Sequence, residues 1–294
     1  MIISASRRTD IPAFYPDWFA RRLVAGYVYT KNPFHNAQVR RVSLLPEDVD
    51  AIVFWTKNPR PLMRHLDLLE VRGIFYTFQF TITGYSNLLE PLVGELAESV
   101  ESLKRLSDRI GPDRVTWRFD PIFICDNLAT EDILVNFQNI AGQVEGYTRK
   151  VVISFLTFYE KIKKRASLYG IKALPESEIF KIAAALSGIA GQCGIEIESC
   201  AQPWPLDRFG IKPARCIDAA FIGAVSNRIL QRQKDPGQRA ECGCSKSVDI
   251  GSYNTCPHGC VYCYANHSPE SVKRNFALHD PDAEILIGKT GEVG

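Results

Sequence analysis

Apolar residues follow two alternating rhythms along this chain. Short runs such as 51–56 (A-I-V-F-W-T) are almost continuously apolar, as strands buried on both faces are. Longer stretches follow in which apolar residues return every three or four positions, the period of a helix with one buried face. On this pattern residues 1–6 form a first strand, ending in the polar cluster Arg7, Arg8, Thr9 and Asp10, and 15–24 form a helix. Residues 27–31 and 38–44 read as the arms of an inserted hairpin around Asn32, Pro33, Phe34, His35 and Asn36. Strands at 51–56 and 73–83 flank a helix at 61–71, and Leu92, Leu96, Val100, Leu103, Leu106 and Ile110 mark the next helix. Strands at 114–119, 151–156 and 194–199 alternate with a helix at 131–145 and another carrying Ile179, Ile182, Ala183, Leu186 and Ile189. Beyond Pro213 a helix to about residue 233 and a basic link at 234–240 lead to a last short strand at 248–251. That strand runs straight into a cysteine-rich loop.

Such alternation implies parallel strands joined by right-handed crossovers, so the class is α/β, and about seven strands suit a parallel (β/α) barrel or partial barrel. A doubly wound sheet is the competing architecture. The expected organisation is one domain over 1–294, with barrel strands and helices in 1–240 and a cysteine-motif segment, 241–294, completing it. Sites in parallel α/β folds are built at the C-terminal ends of strands. Here those ends carry residues 7–10, 56–58, 81–83, 118–120 and 198–200.

Composition narrows the picture only a little. With 294 residues, 46% hydrophobic and 23% charged, the chain can bury a barrel-sized core. A net charge of +2 and a pI near 8.0 lack the strong basic excess of a dedicated nucleic-acid binder. Arg7, Arg8, Arg21, Arg22, Arg40, Arg41, Arg60 and Arg64, interleaved with Phe34, Phe54 and Trp55, could still make a basic groove, although a solvated face is the commoner outcome. The apolar start, 1–5, is too short for a secretion signal, and no apolar run approaches the roughly 20 residues of a membrane span. Nine cysteines then imply a reducing cytoplasm in which thiols serve metals rather than disulfides.

The candidate chemistry lies in 255–264, T-C-P-H-G-C-V-Y-C-Y. Cys256, Cys260 and Cys263 are spaced C-x3-C-x2-C, with Pro257 and Gly259 supplying bends that let three thiols converge. Three cysteines on an iron–sulfur cubane leave one iron free for another ligand. Structural zinc favours paired C-x2-C knuckles and fits this spacing less well, and free thiols are the third reading. His258 sits where the cysteines already fill the ligand spacing, and His35 and His267 read as solvent-facing.

At these residues the sequence resembles the radical S-adenosylmethionine (SAM) enzymes, whose signature is C-x3-C-x-aromatic-C, with Tyr262 at the aromatic place. Within that superfamily the loop looks most like the spore photoproduct lyase group. The whole chain also resembles an uncharacterised family, domain of unknown function 1848, which carries a cysteine cluster near its C-terminus. The late position departs from the superfamily, which places the motif after the first barrel strand. Other lyase-like parts occur here in the family's order as Thr9-Asp10-Ile11-Pro12, Thr56-Lys57 and Arg118-Phe119-Asp120-Pro121. A circular permutation accounts for both facts, and it places 248–251 beside 1–6. The resemblance implies a 4Fe-4S cluster on Cys256, Cys260 and Cys263, and SAM held by Thr9, Asp10 and Lys57 with Tyr262 near the adenine. It implies a 5′-deoxyadenosyl radical acting on an unknown substrate, fed by an electron donor such as flavodoxin or ferredoxin. The alternative is a non-redox, zinc-stabilised barrel that binds nucleic acid or another anion.

Plainer structural roles compete at several of these positions. Thr9 and Asp10 would cap a helix before Pro12, and Lys57 would be a surface lysine. Arg118 and Asp120, two apart on a strand, share a face and would pair with each other unless Arg118 holds a ligand. Cys200, Cys216, Cys242 and Cys244 are a candidate second site for a cluster or zinc, with Cys216 otherwise a small core residue. Cys193 reads as packing, and Cys125 is a candidate hydrogen-atom donor.

Overall fold

The strands of the computed structural model are β1 (Ile2–Ala5), β2 (Tyr27–Asn32), β3 (His35–Ser43), β4 (Ala51–Thr56), β5 (Tyr76–Thr81), β6 (Val115–Ile122), β7 (Lys150–Phe155), β8 (Glu196–Ser199), β9 (Lys212–Pro213) and β10 (Val248–Asp249). Residues 1–33 and 35–289 are described, without the side chains of 35–37, so Phe34 and the His35 side chain lie outside the described residues. Eight strands form one parallel sheet in the order β10-β1-β4-β5-β6-β7-β8-β9, and β2 pairs with β3 as a separate antiparallel hairpin. Among the described residues the outer strands β9 and β10 do not pair with each other.

The last strand returns to the first. Ile3 stands opposite Val248 and Ser4 opposite Asp249, in parallel register. Asp249 makes this junction specific: its carboxylate accepts hydrogen bonds from Ser4 Oγ (2.9 Å), Ser6 Oγ (2.6 Å), Arg7 N (2.8 Å) and Gly251 N (3.0 Å). Gly251 is required by contact, since a Cβ there would meet Ser6 Oγ at 2.2 Å.

Strand alternation divides the core in two. Ile3, Ala5, Ile52 and Phe54 join the main core with the flanking helices, whereas Ile2, Ala51, Val53 and Val152 join a smaller core with Cys216, Cys242 and Cys244. Phe54 stacks on Phe78 at 4.9 Å in the larger core, where full burial of each ring is worth about 1.5–3 kcal/mol. The helix Thr130–Val144 buries Ile133, Phe137, Ile140, Ala141 and Val144 along one stripe, and Glu176–Gln192 does the same with Ile179, Ile182, Ala183, Leu186 and Ala190. No helix among the described residues is long and apolar enough to cross a membrane.

Several expected elements differ for identifiable reasons. The helix expected at 61–71 breaks into Arg60–Met63 and Leu66–Val71, because Arg64 and His65 both turn to Asp17, at 2.9 and 2.8 Å. Leu92 lies outside the helix Leu96–Ile110, and its backbone N–H bonds instead to His258 O at 3.1 Å. The helix expected to reach residue 233 is Ala219–Ser226 and stops at Asn227, a left-handed cap with φ 54°. Strand β9, of two residues, and the helices Glu160–Leu168, which buries only Ile162 and Ala166, and Pro269–Ala277, which buries only Val272, lie outside the expected elements.

Candidate metal and cofactor site

The pairing of β10 with β1 delivers the cysteine loop to the ends of β1 and β4. Asp10, directly after β1, is the hub. Its Oδ1 accepts the Ala13 N–H at 3.0 Å and caps the helix Ile11–Phe14, while its Oδ2 accepts the Lys57 N–H at 2.7 Å and lies 2.8 Å from His258 Nε2. Asp10 is therefore a helix cap, and the same carboxylate also latches the cysteine loop. His258 Nδ1 faces Leu92 O at 3.2 Å, so both ring nitrogens are engaged by the protein, as its exclusion from the ligand set requires. The loop docks further through Val261 N to Leu89 O (3.0 Å), Tyr15 OH to Thr255 O, and Asn266 Nδ2 to Cys256 O (2.7 Å).

Lys57 is largely enclosed rather than a surface lysine, its side chain 11% exposed. Its Nζ lies 2.8 Å from Glu90 Oε1, and that oxygen also accepts from Thr83 Oγ1 (2.8 Å) and from the Tyr262 hydroxyl. Burial acts against the ammonium, but Glu90, Cys260 and Asp120 outweigh it and hold its pKa above the usual value. Tyr262 packs between Tyr85 and Phe123, at 6.3 and 5.4 Å between ring centroids, and burial drives its own pKa well up.

The three thiols of the loop act on one another through charge. Burial pushes the Cys256 thiol well up, reinforced by Asp10, Cys263 and Cys260. Cys260 is pushed up to about 12, again chiefly by burial, with Lys57 pulling the other way. A bound metal would stabilise buried thiolates in such a place. Two polar oxygens nearby, Thr9 Oγ1 and Asn266 Oδ1, are buried without a hydrogen-bond partner. The soft donor set, the cation at Lys57 and these orphan oxygens fit a cluster with a polar ligand beside it. Among the described residues, no group of three or more His, Cys, Asp or Glu is already arranged to hold a metal ion.

Arg118 takes the partner that its spacing on the strand suggested. It pairs with Asp120 through Nε (3.0 Å) and Nη2 (2.5 Å), and its Nη1 reaches Gln79 Oε1 (3.2 Å) and Cys216 Sγ (3.0 Å). There the four remaining candidate thiols do assemble. Cys200 and Cys216 Sγ are 3.5 Å apart, and Cys216, Cys242 and Cys244 share the smaller core, with Cys200 packed against it.

The profile of the domain of unknown function DUF1848 matches residues 2–265, a span that includes both thiol groups. The chain belongs to this family. No curated protein matches the DUF1848 sequence significantly. Among solved structures, a triazine hydrolase variant is similar at 11% identity and a TM-score of 0.35, covering 79% of this chain and 48% of its own, so the chain spans about half of that enzyme. A putative alpha-L-fucosidase from Bacteroides thetaiotaomicron gives 8% identity and a TM-score of 0.28, covering 79% and 84% of the two chains. A short-chain type dehydrogenase/reductase from Mycobacterium marinum gives 9% and 0.25, covering 84% and 92%.

Other expectations for this DUF1848 chain resolve individually. Cys193 ends the helix Glu176–Gln192 and packs against the core, as expected. Cys125 lies near enough to Tyr85 for its charge to register there. Of the early arginines, Arg7, Arg8, Arg21, Arg60 and Arg64 face Asp235, Asp249, Asp282, Glu98 and Asp17, which offsets much of the charge of a basic groove. Glu90 and Asp249 organise the site, yet the sequence pattern does not mark them. The one signal for either is an acidic residue inside an otherwise apolar or loop segment, which is common on any surface.

Proposed function

We propose that this chain is a radical SAM-type iron–sulfur enzyme whose single domain is a circularly permuted partial barrel. The observation that carries the reading is the docking of the C-x3-C-x2-C loop beside β1 and β4, where Asp10 holds both His258 of the loop and the Lys57 backbone, and Lys57 and Tyr262 meet at Glu90. The permutation requires β10 next to β1, and the Ile3–Val248 register meets that requirement. Three thiols carried by one loop to the ends of β1 and β4 suit a cubane, where each sulfur binds a different iron.

In this reading Cys256, Cys260 and Cys263 hold the 4Fe-4S cluster, and Lys57, Thr9 and Tyr262 are the groups offered to SAM. When bound, the pair supplies one-electron cleavage of a sulfonium and a 5′-deoxyadenosyl radical that abstracts a substrate hydrogen atom. The protein's own part is positional. Asp10 fixes Lys57 and His258 together and so acts as a positioning residue. Glu90 holds the Lys57 ammonium and the Tyr262 hydroxyl at one oxygen, and Tyr85, Phe123 and Tyr262 form an apolar wall that keeps water away. Electrons come from a small redox protein.

Anaerobic reconstitution with iron and sulfide tests this. The expected product is brown, and with dithionite and SAM it releases 5′-deoxyadenosine; Cys256→Ala loses both properties. Stoichiometric zinc on these three thiols, with no visible absorption after reconstitution, overturns the proposal.

A further inference from the structure

We infer that Cys200, Cys216, Cys242 and Cys244 bind a single divalent metal ion, with zinc expected, as a mononuclear tetrathiolate that fastens the exit of β9 to the entry of β10. This site is independent of the iron–sulfur reading and uses none of its residues.

Distance argues for one metal ion rather than a cubane. Around tetrahedral zinc with Zn–S near 2.3 Å, sulfurs stand about 3.8 Å apart. Cys200 and Cys216 Sγ are already 3.5 Å apart, and Cys242 and Cys244 are buried in the same small core as Cys216. Thiols on the corners of a cubane belong to different irons and lie much further apart. Among the described residues the thiols are not yet gathered around a common centre, so side-chain rotation is what metal entry demands.

The backbone is already built for the site. Cys200 follows β8, Cys216 follows β9, and Cys242 and Cys244 precede β10. The two edges meet here through Ser245 N to Ile217 O (2.8 Å) and Ala219 N to Ser245 Oγ (3.1 Å). Gly243, between two of the cysteines, passes so close that a Cβ would stand 3.1 Å from Arg215 Cγ and 3.4 Å from Ala214 O.

Charge is matched as well. A divalent ion on four thiolates carries a net charge of −2, which needs nearby cations when buried. Arg118 donates to Cys216 Sγ, and Arg7 lies close enough to Cys244 and Cys216 to feel their charge. Both guanidinium groups stand over the Trp55 ring, at 5.1 and 5.4 Å. Arg7 Nη2 and Trp55 Nε1 are buried N–H groups with no partner, the kind of donors that metal-bound sulfur accepts.

The test uses the full chain carrying C256A, C260A and C263A together, which removes the other thiol group. Purified from zinc-supplemented cells, it is expected to hold about one zinc per chain, and cobalt(II) exchange is expected to give the intense visible bands of a tetrahedral thiolate site. Adding C216A and C244A is expected to lower the zinc content at least tenfold. If those further changes prevent folding, the cobalt spectrum of the triple variant decides alone. A triple variant free of metal, iron with inorganic sulfide in its place, a cobalt spectrum without thiolate bands, or a Cys200–Cys216 disulfide in anaerobically purified protein would each overturn the inference.

Discussion

Two groups of thiols lie near the strand ends, and they are built in opposite ways. Cys256, Cys260 and Cys263 come from one loop, of which Cys260 and Cys263 pack with the main core, and the loop is set by protein contacts: Asp10 to His258, Leu89 to Val261 and Asn266 to the Cys256 carbonyl. Cys200, Cys216, Cys242 and Cys244 come from three segments and pack in or against the smaller core, where Cys200 and Cys216 touch. Spread thiols in a preformed loop suit a multi-metal cluster with an open corner, whereas touching thiols that join distant segments suit one ion that ties the fold together. On the two proposals made above, the first arrangement serves reactivity and the second serves stability.

The strongest challenge to that separation is Asp249, which ties β10 to β1. Asp249→Ala removes the acceptor for two hydroxyls and two backbone N–H groups. A loss of about 3 kcal/mol is expected from equilibrium denaturation, with iron and zinc contents falling together. If only one metal is lost, the two groups are mechanically separate and the shared junction at β10 is not their common support.

A smaller effect, confined to the first group, is expected for Glu90→Gln. It leaves the Lys57 ammonium buried without its counter-charge, at a cost of about 2 kcal/mol. The pH profile of this deficit follows from Lys57, whose folded pKa lies above the ordinary value. Its contribution is complete below the unfolded lysine pKa of about 10.4 and is lost as pH rises through the folded value. The deficit of Glu90→Gln is therefore largest near neutrality and shrinks in alkali, as paired denaturation curves across pH would show. Zinc content should be unchanged, and a fall in it would join the two groups after all.

Gly243→Ala should act on the second group alone and least. Its Cβ must displace Arg215 by a few tenths of an ångström, so about 1 kcal/mol is expected. Faster release of zinc to a chelator, with 5′-deoxyadenosine release unaffected, is the sharpening result.

The alternation of apolar runs and helical stripes made the parallel sheet, the hairpin and most strand positions legible in the chain, because each strand of a buried sheet must be apolar on both faces whatever its neighbours are. Boundaries were lost where tertiary partners won: Arg64 and His65 turn to Asp17, and Leu92 gives its N–H to His258. The cysteine loop that follows the last strand was equally legible, since the spacing of Cys256, Cys260 and Cys263 is a property of one short segment.

Sequence alone thus determined the α/β alternation and the compact cysteine triplet, whose physics is local. Only the tertiary structure decided that Lys57 pairs with Glu90, that Asp10 grips His258, that Arg118 turns to Cys216, and that four cysteines from three segments meet. Those choices depend on strand register and on burial that forces each charged or polar group to find a partner, and neither is encoded in any one stretch of chain.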